Sequence, residues 1–240
     1  MVKFSFKFPV FDFSLTFDII ETLITQCESS IEKGIAEYKE KGPEEYAIDI
    51  SPEEEPYHSI DYYMGLDSSS VDLDEMFLEY YPSVFRRSVF LTIFGMFEHE
   101  IEKFCNNFAS RHQTPINISD LKGSGFEISH LFIKKLLGMR VTTHYTTIKK
   151  ITKLRNSCAH NDAKYIENDG QNSKLIIELM DAHPDIFKKD GKQVLFMNGA
   201  LTMVLDSFKS YLTEVEQAVD EYEKRIRSGD KVAAAVGITP

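Results

Sequence analysis

The sequence of residues 88–108, SVFLTIFGMFEHEIEKFCNNF, decides the fold of this 240-residue chain. Its large apolar side chains recur every three to four residues, which is the spacing of one helix face. This stripe consists of Phe90, Phe94, Phe97, Ile101, Phe104 and Phe108. The spacing predicts a long core helix that begins near Asp72 or Asp74 and ends near Arg111. Pro82 should kink or break it, because proline lacks the amide donor of a helix interior.

The same helical spacing recurs on both sides of this stretch, and each further segment carries a start or stop signal. A first helix is predicted for residues 15–41, and it ends at Gly42-Pro43. Ser124 and Glu127 form a capping-box pattern before a short helix that ends at Gly138. Thr142 or Thr143 caps the next helix, which runs to Asn161, and Asn198 caps the last one, which runs to Arg227.

Two stretches lack helical spacing. Residues 43–71 contain Gly65 and a run of serines, so we expect a loop with a short helical turn around Tyr62. The segments Lys174–Met180 and Gln193–Met197 are short, apolar and typical of strands. They predict a small hairpin-like insertion before the last helix.

The predicted fold class is therefore all-α, in one domain that spans residues 1–240. We expect residues 1–80 to form a helix and loop extension and residues 85–228 to form the core bundle. A composition of 42% hydrophobic residues suits a single globular domain of this length, which needs no disulfide or structural metal to be stable.

Composition and the apolar runs also indicate where in the cell the protein is expected. Only three cysteines occur, at long spacings, which favours neither a disulfide framework nor a zinc site. The N-terminal residues 1–13 are aromatic, but Lys3, Lys7 and Asp12 interrupt them, and they do not resemble a secretory signal. The most apolar run is about ten residues, short of the ~20 that cross a bilayer. We expect a cytoplasmic protein that does not enter a membrane.

Charge is distributed unevenly along the chain. Residues 128–161 contain seven lysines and arginines and no acidic residue, whereas the rest of the chain carries a net charge of −18. Such a basic region within an acidic protein favours the binding of a phosphate backbone, with Lys149, Lys150 and Lys153 as candidate RNA contacts. The alternative is a helix face on which the lysines are merely solvated.

Within this basic region lies the sequence LRNSCAHN, residues 154–161. Asn156 and His160 are four residues apart and so share one helix face, where the amide could orient the imidazole. Arg155 lies about 140° around the axis from His160, but its long side chain could still reach the same cleft.

The Arg-Asn-x-x-x-His pattern, together with the aromatic helix before it, resembles the HEPN superfamily (higher eukaryotes and prokaryotes nucleotide-binding domains). The resemblance covers about residues 85–220. It implies a helical, metal-independent endoribonuclease with no cofactor, in which Arg155, Asn156 and His160 are catalytic. It also implies a homodimer whose two motifs line one cleft, and a role as a toxin or anti-phage effector with an antitoxin or other regulatory partner.

The chemistry of the motif suits RNA cleavage. Attack of a 2′-hydroxyl on the neighbouring phosphate requires a group that transfers a proton and a cation that stabilises the phosphorane, and histidine and arginine fill those roles. Glu98 resembles an acidic residue that some families place near the arginine; alternatively it pairs with Lys103 or faces solvent. Some members carry an aromatic residue where this chain has Asp162. The rival hypotheses are a non-catalytic HEPN module that binds nucleotide, RNA or protein, and a helical scaffold with an accidental motif.

Overall fold

The computed structural model describes residues 12–48, 58–123 and 125–227. The described chain is mainly helical, with two small antiparallel sheets. The helices are α1 (Ser14–Lys41), α2 (Leu73–Glu75), α3 (Tyr81–His112), α4 (Gly125–Leu137), α5 (Thr143–His160), α6 (Lys174–Ala182) and α7 (Ala200–Arg227). The strands are β1 (Glu44–Ile48), β2 (His58–Tyr63), β3 (Leu66–Asp67), β4 (Phe187–Asp190) and β5 (Gln193–Phe196).

Helix α3 is the centre of the core, as its apolar stripe predicts. All six stripe residues are buried, and the helix packs against α1, α4, α5 and α7. The ring of Phe97 stacks on that of Phe208 from α7, with 4.0 Å between the ring centroids. Burial of large aromatic side chains stabilises such a core by roughly 1.5 to 3 kcal/mol for each side chain. The first helix also belongs to this core, since Ile20, Ile24 and Ile31 of α1 lie in the same cluster.

The predicted interruption at Pro82 takes the form of a change in helix type. Residues Met76–Tyr80 form a π-helical turn, and the regular α-helix continues from Tyr81 with Pro82 in its first turn. Asp72 caps α2 by accepting a hydrogen bond from the amide of Glu75, as predicted for the start of this helix. Proline has no amide hydrogen to donate, so the regular α-helical hydrogen-bond pattern is interrupted at this position while the chain stays helical on both sides.

The loop predicted for residues 43–71 is wrong in part. Strands β1, β2 and β3 form a three-stranded antiparallel sheet in that order, and Tyr62, expected in a helical turn, lies in β2. The rings of Tyr46 and Tyr62 meet edge to face across the strands, with centroids 5.8 Å apart. Both tyrosines are largely exposed. None of the strand residues whose side chains the structure describes is fully buried. These strands therefore lack the strong apolar alternation that identifies a half-buried strand in sequence.

The insertion before the last helix is a hairpin, but the strand predicted for Lys174–Met180 is wrong. Residues Lys174–Ala182 form helix α6, because Ile176, Leu179 and Met180 are spaced to bury one helix face. Strands β4 and β5 pair instead, from Phe187 opposite Phe196 to Asp190 opposite Gln193. The strand preference of isoleucine depends on its surroundings, and here packing against the core overrides it.

The helix caps predicted from the sequence agree with the structure to different degrees. Thr142 accepts a hydrogen bond from the amide of Tyr145 and caps α5, as expected. The last helix begins at Ala200, two residues beyond Asn198, directly after Gly199 with its positive φ of 90°. Ser124, predicted to cap α4, lies outside the described residues, as does the tail after Arg227.

Candidate functional site

The motif occupies the C-terminal end of α5, whose last residue is His160. Ile148, Ile151 and Leu154 are fully buried on the opposite face of this helix and fix it against the core. The spacing of these three residues, which is visible in the sequence, therefore decides which side of the helix end is exposed. His160 lies on the exposed side.

Asn156 and His160 line one cleft of about 280 Å³, as their spacing on the helix predicts. The walls of the cleft are formed by α5, by the segment after it and by the start of α6. The residues that line the cleft are Lys153, Asn156, Ser157, His160, Asn161, Lys164, Ile166, Glu167, Asn168, Ser173 and Ile176. Amide, hydroxyl and ammonium groups thus line the same cleft as the imidazole, together with the carboxylate of Glu167 and two isoleucines, which suits a small polar ligand.

Arg155 does not line this cleft, contrary to the expectation that its side chain reaches it, although it contacts Asn156, which does. Its Nη2 lies 2.7 Å from Oε2 of Glu98, and its guanidinium carbon lies 5.3 Å from the centre of the Phe94 ring. Its Nη1 donates a hydrogen bond to Oδ1 of Asn156 at 3.0 Å. Asn156 therefore orients the arginine, and no hydrogen bond between Asn156 and His160 occurs among the residues that the structure describes.

The structure brings Glu98 to Arg155, and Lys103 pairs with Glu100 instead. The second carboxylate oxygen of Glu98 accepts a hydrogen bond from the amide of Phe126 at 3.0 Å, so the same side chain caps helix α4. A charged carboxylate at a helix N-terminus interacts favourably with the helix dipole. Glu98 therefore joins three helices: α3, which carries it, α4 and α5.

The three candidate RNA-binding lysines differ in their surroundings. Lys149 is exposed, whereas Lys150 pairs with Glu178 at 3.0 Å and Lys153 with Glu167 at 2.8 Å. The hydrogen bond from Lys153 lowers the pKa of Glu167, with a smaller contribution from Ser173. Both glutamates lie beyond residue 161, so the basic segment is less positive in three dimensions than its sequence suggests.

Asp162 connects the end of the motif helix to other parts of the fold. It lies after α5 with a positive φ of 49°, and its carboxylate pairs with Arg87 at 3.1 Å and accepts a hydrogen bond from Gln193. These contacts attach the end of the motif helix to α3 and to the β4–β5 hairpin. Burial raises the pKa of the nearby Cys158 thiol to about 12, which disfavours the nucleophilic thiolate at neutral pH.

Sequence reasoning missed the second wall of the cleft. Lys164, Asn168 and Ser173 lie in a region without helical spacing, and the segment is held by two isolated β-bridges, between Lys164 and Gln193 and between Ile166 and Asn172. The Asn161-Asp162 dipeptide marks a turn. It does not reveal that the chain returns along α5, so no local signal could have identified these residues.

Comparison of the chain with models of known protein families, with curated proteins and with solved structures finds no match. Within the described ranges, no helix is long and apolar enough to span a membrane. Nor do these ranges contain a group of three or more His, Cys, Asp or Glu side chains that could hold a metal ion.

Proposed function

We propose that this protein is a HEPN-type endoribonuclease that cleaves RNA without a metal ion, through attack of the 2′-hydroxyl. The observation that carries the proposal is the position of His160. It is exposed at a helix end, in a polar cleft, one helical turn from Asn156, which in turn holds Arg155. Histidine is the side chain that most often serves as general acid or base, and in this cleft it would take the proton of the 2′-hydroxyl or give one to the leaving oxygen.

The proposal includes a homodimer. In one protomer Arg155 does not line the cleft of His160, and it forms an ion pair with Glu98. In-line attack benefits from a base, an acid and a charge stabiliser, and one histidine supplies only one proton-transfer group. Two motifs that meet across a two-fold axis supply all three roles.

The biological role that we infer is that of a cytoplasmic toxin or anti-phage effector, with an antitoxin or other regulatory partner. This role rests on the resemblance of residues 154–161 to the HEPN motif. An acidic protein with a small basic site is suited to such a role, because its net charge of −11 discourages indiscriminate binding to nucleic acid.

The second candidate function is a non-catalytic HEPN module that binds nucleotide, RNA or a protein. The ion pair between Glu98 and Arg155 favours it, because an arginine that is already neutralised contributes to structure as well as to chemistry. The two functions make different predictions for His160. A binding module tolerates its loss with altered affinity only, whereas a nuclease loses turnover.

The experiment that separates them uses purified full-length protein and a mixture of structured and unstructured RNAs in EDTA. We expect fragmentation by the wild type and none by His160→Ala. A matched control is His183→Ala, since His183 lies after α6 and is absent from the cleft lining. Equal fragmentation by the wild type and His160→Ala excludes the nuclease assignment, and binding without fragmentation by the wild type supports the alternative.

A further inference from the structure

Two lysines line the cleft of His160, and they differ in whether an acidic side chain pairs with them. Lys153 is paired with Glu167. Lys164 is exposed and forms no ion pair with any acidic side chain in the described ranges. We propose that Lys164 binds the substrate phosphate beside His160 and stabilises the charge that develops on it. This inference rests on the proposed function and adds a residue that lies outside the Arg-Asn-x-x-x-His motif.

The backbone that carries Lys164 is held in an unusual conformation. Asp162 and Ala163 are consecutive non-glycine residues with positive φ, at 49° and 57°. Such residues are strained, and they persist only where surrounding contacts determine them. Here Arg87 contacts both the carboxylate and the carbonyl of Asp162, and the amide of Val194 donates to the carbonyl of Ala163 at 3.0 Å.

The consequence of this strained turn is the location of Lys164. The turn reverses the direction of the chain at the end of α5. Lys164 therefore lines the same cleft as His160, whereas a chain that continued beyond the helix would carry it away from the cleft. Ser157 Oγ donates a hydrogen bond to the carbonyl of Lys164 at 2.5 Å, and the amide of Lys164 donates to the carbonyl of Asn161 at 3.0 Å. The backbone of Lys164 is thus fixed to the last turn of the motif helix.

The charge balance of the cleft explains why a further cation is needed. When the 2′-oxygen loses its proton and bonds to phosphorus, negative charge accumulates on the non-bridging phosphate oxygens. It disperses when the bond to the 5′-oxygen breaks and that oxygen takes up a proton. His160 transfers protons, and in one protomer Arg155 forms an ion pair with Glu98 and does not line the cleft. Lys164 supplies the positive charge within the cleft itself.

The test compares Lys164→Gln with Lys188→Gln under single-turnover conditions on one RNA in EDTA. Lys188 is an exposed lysine of β4 that does not line the cleft, so it controls for the loss of one charge. We expect Lys164→Gln to slow cleavage about 100-fold, in the range for loss of one charge-stabilising group. Lys188→Gln should stay within about twofold of the wild type, and Lys164→Arg should recover part of the loss because it restores the charge.

A second measurement separates this inference from the proposed function. Inorganic phosphate is titrated into each protein while the imidazole proton signal of His160, assigned with His160→Ala, is followed by NMR. We expect phosphate to shift this signal in the wild type and in Lys188→Gln, but not in Lys164→Gln. If the wild type cleaves no RNA, the nuclease proposal fails, and this titration alone decides the role of Lys164. The inference is overturned if Lys164→Gln cleaves RNA as fast as Lys188→Gln. If none of the proteins cleaves RNA, it is overturned if these two variants give the same phosphate titration.

Discussion

Arg155 and Glu98 form an ion pair of 2.7 Å between helices, although they are 57 residues apart in the chain. Their side chains are 28% and 16% exposed, so solvent screens the pair only in part. Since Glu98 also caps α4, the pair couples the candidate catalytic helix to two other elements of the core. The arginine of the motif therefore contributes to folding as well as to any chemistry.

A double-mutant cycle tests this coupling. We expect Glu98→Gln and Arg155→Gln to show an interaction free energy of about 1 to 3 kcal/mol, as for partly buried pairs with additional hydrogen bonds. The pair of Lys103 and Glu100 is the control, with an expected coupling below about 0.5 kcal/mol because the lysine is mostly exposed. Urea denaturation measures both cycles. Equal couplings would show that the first pair is no more than a surface contact.

Gly125 should not tolerate a side chain. Its φ is 57°, and an added Cβ would lie 2.5 Å from Oε1 of Glu98. We expect Gly125→Ala to lower the free energy of unfolding by roughly 1 to 3 kcal/mol, from backbone strain and displacement of the carboxylate. Gly34→Ala is the matched control: Gly34 lies in α1 with nothing within 4 Å, and the change should stabilise by about 0.5 to 1 kcal/mol. Denaturation that shows the same sign for both variants contradicts this expectation.

Stability should depend on pH through His130. Burial lowers the pKa of this histidine to about 4, with a smaller contribution from Lys134, and its ring stacks on Tyr145. The unfolded chain, with an ordinary pKa of 6.5, therefore takes up a proton first as the pH falls. The contribution of neutral His130 is complete above pH 6.5 and is lost progressively towards pH 4.

The measurement is chemical denaturation of the wild type and His130→Phe at about pH 7 and about pH 4.5. We expect the wild type to lose about 2 to 3 kcal/mol more than the variant between these two values. His112, whose pKa burial also lowers, contributes with the same sign to both proteins and so cancels in the comparison. Identical losses in the two proteins would show that His130 does not titrate differently in the folded state.

The salt dependence of RNA binding should identify which lysines contact phosphate. Lys149 is exposed, whereas Lys150 and Lys153 are paired with glutamates. We expect Lys149→Glu to weaken binding and to reduce the slope of log K against log salt by about 0.7 for each phosphate that the protein no longer neutralises. Fluorescence anisotropy over a salt series measures this slope. Lys39→Glu, at an exposed lysine of α1, is the control, and an equal effect of both reversals means that the basic segment is only a solvated face.

The parts of the fold that sequence predicts are those whose helices bury one face. The stripe of α3 and the spacing of Ile148, Ile151 and Leu154 in α5 each determine a helix and its orientation towards the core. Helix α6 escaped prediction because nine residues contain too few turns to distinguish a helix from a strand by spacing alone.

Polar contacts between residues that are far apart in the chain cannot be predicted from local sequence patterns. The buried Arg86 donates hydrogen bonds to the carboxylate of Glu28 from α1 and to the carbonyl of Phe196 from β5. Nothing in the sequence around these residues indicates these contacts. The wall of the cleft formed by Lys164 depends likewise on the turn at Asp162 and on the β4–β5 hairpin. Such contacts are specified by the assembled fold and leave no local periodic signal.

The chemistry of the RNA ends decides whether this protein cleaves RNA through the 2′-hydroxyl. A 5′-labelled RNA and the same oligonucleotide in 2′-deoxy form are incubated in EDTA with the wild type and with His160→Ala, and the termini of the products are determined. We expect 2′,3′-cyclic phosphate and 5′-hydroxyl ends from the wild type, an intact deoxy oligonucleotide, and at least about a 100-fold loss of cleavage in His160→Ala. Cleavage of the deoxy oligonucleotide, or undiminished cleavage by His160→Ala, would contradict the proposed mechanism.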